Sequence, residues 1–140
     1  MELNKIFFNG KTWSQILEEL KFEKHLKKLS QKFKNKKIIL YGTGIMLDYI
    51  VDNFDLSSFN IVAVTDIKYL TFKEESYKGY KVITPNELLN SEFDLILITT
   101  QYPVAIRNYL RKELFKNRKK PKIWFLLNKP LKLYFEEIFS

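Results

Sequence analysis

A chain of 140 residues, 46% hydrophobic and 29% charged, suits one globular domain that buries a core of its own. It has no Cys and a single His, His25, which excludes disulfides, thiolate nucleophiles and cysteine-ligated zinc and speaks against a histidine-built metal site or a Ser-His triad. The formal charge of +8 is concentrated: residues 21–37 carry eight Lys against Glu23, residues 107–122 carry eight Lys and Arg against Glu113, and residues 38–106 sum to −5.

Residues 1–11 lack a clear period and read as a loosely held arm. Thr12-Trp13-Ser14-Gln15 has the spacing of a capping box, and helix is expected from there to about Lys34. Trp13, Ile16, Leu17 and Leu20 form one apolar stripe; Phe22, Leu26, Leu29 and Phe33 form another, nearly opposite at ~100° per residue. Either the helix breaks near Lys21 and both stripes fold onto one sheet, or a continuous helix leaves one stripe for a partner subunit or neighbouring domain. His25, among lysines, reads as a surface residue.

Strand and helix signals then alternate. Ile38–Tyr41 is a short apolar run that suits a strand covered on both faces, and Ile45–Phe54 has helical period. Asn60–Thr65 is a β-branched strand closed by Asp66. Tyr80–Ile83 is a short strand, and Thr84-Pro85-Asn86-Glu87 opens a brief helix. Phe93–Thr99 has strong β propensity, Val104–Phe115 is helical, Lys122–Leu127 is the last strand, and 131–140 suits a terminal helix. Such alternation with right-handed crossovers predicts an α/β fold. The expected form is a small doubly wound, Rossmann-like parallel sheet of five strands, order 3-2-1-4-5, with an added N-terminal helix. Residues 1–35 form the arm and helix, for packing or an oligomer contact, and 36–140 the nucleotide-binding domain.

Ligands in such sheets bind beyond the carboxyl ends of the strands, where strand order reverses. Strand 1 delivers Gly42, Thr43 and Gly44 there, strand 4 delivers Thr99, Thr100 and Gln101, strand 2 brings Asp66 and Lys68, and strand 5 brings Asn128. Gly42 permits the tight turn, Gly44 lets phosphate approach the backbone, and the next helix offers unpaired N–H groups and its positive end. Asp66, 24 residues after Gly42, sits where a ribose-binding carboxylate belongs. A bare βα corner remains the plain alternative. Leu47 occupies the third glycine position of a dinucleotide fingerprint, and Asp48 in the first helical turn would repel a nearby phosphate.

The basic blocks fall at the amino ends of the strands, away from that turn. With 21 Lys among 24 basic residues they suit a solvated face better than phosphate recognition, so nucleic acid is not the favoured partner. Tyr69/Lys73 and Tyr77/Lys81 have dehydrogenase-like spacing but lie in a loop, where it has no meaning. No catalytic set is complete. With no apolar run near the ~20 residues of a membrane span and no signal-peptide pattern, a soluble, cytoplasmic protein is expected.

The succession KIILYGTGIM, FNIVAVTD, YKGYKVITPNELL and FDLILITT resembles the small Rossmann-like domain of bacterial glycan-biosynthesis proteins, over about residues 36–128. That domain precedes the catalytic part of sugar-nucleotide acyltransferases and of nucleotide-sugar epimerase/dehydratases. The resemblance implies nucleotide or nucleotide-sugar contacts at Gly42, Thr43, Gly44 and Asp66, with NAD(P) or a UDP-sugar as ligand and no metal. The chain departs from that pattern at Leu47 and at Ile67, where a second acid is usual. It also lacks the hexapeptide β-helix of the acyltransferases and the catalytic domain of the epimerases. An auxiliary nucleotide-binding module, or part of a larger enzyme, is the leading expectation. The alternatives are a small NAD(P)-dependent sugar-nucleotide-modifying enzyme and a basic protein that binds nucleic acid or a membrane surface.

Overall fold

The computed structural model describes residues 7–8, 11–19 and 21–127. Asn128 and the expected terminal helix over 131–140 lie outside them. Phe7–Phe8 and Lys11–Thr12 pair as a short antiparallel hairpin where a loose arm was expected. It leads into helix α1, Trp13–Glu19. The capping box is formed: Gln15 N–H donates to Thr12 Oγ1 (3.2 Å) and Thr12 N–H to Gln15 Oε1 (2.9 Å).

The expected helix does break, at Lys21, which adopts the left-handed conformation (φ 52°, ψ 50°) ahead of α2, Phe22–Lys32. The turn rotates the second stripe onto the side of the first. Ile16 and Leu17 of α1 and Phe22, Leu26 and Leu29 of α2, with Phe33 just beyond, are all buried in one cluster. Ile16 and Leu17 of the first stripe thus join the second stripe in the chain's own core, while Leu20 lies outside the described residues.

Four strands make a parallel sheet in the order β2-β1-β5-β6: β1 is Lys37–Tyr41, β2 Asn60–Thr65, β5 Leu95–Ile98 and β6 Ile123–Phe125. The order matches the expected 2-1-4-5, but the outer fifth strand is reduced to one parallel bridge, Val64 to Val82. Lys78 and Gly79 both have positive φ (46° and 86°), the backbone of a tight hairpin turn. They fold Tyr80–Lys81 (β4) back on Ser76–Tyr77 (β3), so little of the segment is left to pair with β2.

Both faces of the sheet are covered, which is why its strands read as continuous apolar runs. Ile38, Leu40, Val64, Leu95 and Leu97 pack with α1, α2 and α3 (Ile45–Asn53). Ile39, Tyr41, Ala63, Ile96 and Ile98 pack on the other side with Leu88 of a 3₁₀ turn, Leu110 and Phe115. Helix α4, Pro103–Tyr109, runs on into a π turn, Leu110–Leu114. Leu47 is fully buried between α3 and the sheet, filling the space that the third glycine of a fingerprint would leave. Among the described residues no helix is long and apolar enough to cross a membrane.

Candidate functional site

The chain reverses its direction of winding between β1 and β5, and the turns after these strands, β1–α3 and β5–α4, form the walls of a cleft of about 420 Å³. Gly44, Ile45 and Met46 line one wall and Thr99–Tyr102 the other, with Asp66 beside them from the end of β2. Five of the seven expected site residues therefore meet here: Gly44, Asp66, Thr99, Thr100 and Gln101.

Gly42 and Thr43 do not line the cleft; they build its base. Gly42 continues the sheet, its N–H donating to Thr65 O (2.8 Å), and its carbonyl accepts the Thr99 hydroxyl (2.6 Å). Its φ of +122° and its contact with Thr99 and Thr100 leave no room for a side chain. Thr43 is buried, with its hydroxyl 2.8 Å from the Tyr69 hydroxyl, and its carbonyl accepts Lys68 Nζ (3.0 Å).

Asp66 has a structural part that spacing does not reveal. One carboxylate oxygen accepts Thr43 N–H (2.8 Å) and the other accepts Lys68 N–H (3.1 Å), capping the 3₁₀ turn Ile67–Leu70. An N–H of the glycine turn is thus satisfied by the chain's own acid. Gly44 is the N-cap of α3 and has no side chain to cap it, unlike the capping boxes at Thr12 and Thr84. Asp48 stands in the first turn of α3 and accepts a hydrogen bond from the Tyr77 hydroxyl of the β3–β4 hairpin.

The phenols near the cleft suit hydrogen bonding, not proton abstraction. Burial raises Tyr69, Tyr77 and Tyr41 above the usual phenol range, and the Asp48 carboxylate raises Tyr77 further. Tyr69 is engaged with Thr43 and Tyr77 with Asp48, so neither dyad spacing describes a working pair. Among the described residues no group of three or more His, Cys, Asp or Glu is placed to hold a metal ion.

Residues 34–120, well over half of the chain, match a family model described as C2185-like, N-terminal. The chain belongs to that family. The match runs from just before β1 to beyond the π turn, so the whole cleft lies inside the C2185-like domain. None of the curated proteins matches the chain in sequence.

Sequence reasoning missed Ile45, Met46 and Tyr102 as lining residues of the C2185-like domain, and Tyr69 as the brace of Thr43. Tyr102 was legible in part, because Pro103 marks a helix start and so places the preceding residue at the end of the turn that follows β5. Tyr69 was not: its contact is made across 26 residues.

The basic blocks lie elsewhere and have local partners. Lys37 pairs with Glu92, Lys120 donates to the carbonyls of Phe115 and Lys116, and Arg118 donates to Leu89 O. Lys32 Nζ sits 3.8 Å from the centroid of the Trp124 ring.

Proposed function

We propose that the domain binds a nucleotide or nucleotide-sugar, as a non-catalytic or auxiliary module in bacterial surface-glycan synthesis. One observation carries the reading: a cleft at the reversal point of a doubly wound sheet gathers Gly44 at a helix start without a side-chain cap, a strand-ending carboxylate and a hydroxyl-amide loop. The glycan context rests on the sequence resemblance. A family described by an N-terminal domain fits a module that works beside other parts. NAD(P) or a UDP-sugar would place its nucleoside against Asp66, whose oxygens keep lone pairs beyond the two N–H groups they accept.

Thermal shift with millimolar UDP-sugar, NAD(H) and CoA tests the reading. A true ligand at a hundredfold excess over its Kd adds about 2–3 kcal/mol and raises Tm by several degrees. Gly44→Asp supplies the control. A Cβ there meets no atom within 4 Å, and Gly44 has the extended backbone of an N-cap, so Asp caps α3 without disturbing the fold. The variant should keep its Tm and lose the ligand shift, because a side chain at Gly44 takes up space in the cleft that this residue lines. A flat response of the wild type to all three ligands, or full binding by Gly44→Asp, overturns the assignment.

A further inference from the structure

Charge within the cleft and apolar surface at its mouth limit what it holds. Among the described residues neither Lys nor Arg lines it, and Asp66 is the only charged lining residue. Lys68 Nζ is held on Thr43 O (3.0 Å), and the Arg107 guanidinium lies 5.3 Å from the centre of the Phe125 ring; neither residue lines the cleft. The positive end of α3 is already answered by two acids of the chain, Asp66 on Thr43 N–H and Asp48 in the first turn. Among the described residues a second phosphate would meet no counter-charge in the lining, and would meet two acids, Asp66 and Asp48, at the start of α3.

The mouth has the opposite character. Six large apolar side chains are exposed among the described residues, and five come from the turns that follow β1, β2 and β5: Ile45, Ile67, Leu70, Phe72 and Tyr102. Ile45 and Tyr102, one from each wall, are each 49% exposed and line the cleft itself. Between them stand Thr100, whose Oγ1 is buried without a partner, and Gln101. The volume of about 420 Å³ lies toward the small end of the range for small-molecule sites, so it suits one nucleoside-sized group and not a whole dinucleotide.

Resting on the nucleotide reading above, we infer that this cleft recognises the nucleoside by its ring and hydroxyls and is indifferent to phosphate charge. Ile45 and Tyr102 grip the flat face of the base, Asp66 accepts ribose hydroxyls, and Gln101 supplies a neutral hydrogen bond. The phosphates and anything joined to them stay outside, in water. The ligand class is then a nucleoside carrying any substituent that leaves through the mouth.

The test is calorimetric titration of the full chain with uridine, UMP and UDP, and with adenosine, AMP and ADP, at low and moderate NaCl. Within the preferred base, affinity should change by less than about fivefold from nucleoside to diphosphate, the most that one helix end supplies, with little salt dependence. Tyr102→Ala should weaken every member of that series by about tenfold, as loss of a stacked base does. Gln101→Lys removes the amide contact from the whole series but should raise the preference for diphosphate over nucleoside by about tenfold, by installing the missing cation. Wild-type binding that steepens with each phosphate and collapses with salt overturns this inference and leaves the nucleotide reading standing. Failure of all six compounds to bind overturns both.

Discussion

At Gly42 the backbone has φ +122°, and a Cβ built there stands 2.5 Å from Thr100 Cγ2 and 3.1 Å from Thr99 Oγ1. Gly44, two residues on, has an ordinary φ of −98° and open space around its Cβ position. The two glycines therefore have separate reasons to be glycine, one steric and conformational, the other access for a ligand. Gly42→Ala should cost about 2–5 kcal/mol, from strained φ together with overpacking against the β5 turn. Gly44→Ala should stay within about 0.5 kcal/mol of wild type. Urea denaturation of both variants checks this, and equal losses at the two positions would contradict the geometry. The GTG turn was legible in the sequence as a turn. The division of labour within it was not, because it depends on Thr99, Thr100, Asp66 and Tyr69, all distant in the chain. Asp66 shows the same limit: its place at the end of β2 was readable, its bond to Thr43 N–H was not.

On the scale of elements, the strands were the most legible part, since apolar runs bounded by turns need only local information. Helix geometry was harder. The break at Lys21 appeared in the sequence only as two stripes out of phase, and the π turn after Tyr109 left no signal. The β3–β4 hairpin was missed because YKVI has strand propensity whether it pairs with Ser76–Tyr77 or with β2. His25 was also misread: it is half-buried, its Nε2 lies 2.9 Å from Leu126 O, and its ring packs near Phe22, tying α2 to the residues after β6. Removal from water lowers its pKa below the ordinary 6.5, outweighing the hydrogen bond, and Lys28 adds to the lowering. The unfolded chain then binds more protons than the folded one below about pH 7, so this site's contribution is complete above 6.5 and is lost as pH falls through the lower folded value. Urea midpoints should drop from pH 7.5 to pH 5 more in wild type than in His25→Gln, which keeps an N–H donor but cannot titrate. Identical pH profiles for the two proteins would show that His25 does not contribute.

At the scale of the whole molecule, the positive charge on the described residues is held apart from the cleft lining, which has no Lys or Arg among them. Much of it lies on α2, where Lys24, Lys28 and Lys32 follow one another at four-residue spacing, with Lys27 beside them and only Glu23 in opposition among residues 22–32. Like charges at i and i+4 destabilise a helix, and exposed repulsion of this kind is screened over a Debye length of about 10 Å at 0.1 M salt. The fold is held against this repulsion by the buried face of α2, through Phe22, Leu26 and Leu29. Tm should therefore rise by a few degrees, about 2–4 °C, between low salt and about 0.3 M NaCl. Lys28→Glu breaks the lysine row and places an acid four residues before Lys32, the favourable orientation for a helical pair. That variant should have a higher Tm at low salt and a smaller gain from NaCl, and it should also relieve the push of Lys28 on His25, reducing the loss of stability at low pH. Ligand affinity should not change, because α2 contributes no residue to the cleft. A Tm that is flat in NaCl for wild type and unmoved by Lys28→Glu would mean that the lysines are too well solvated to strain the fold.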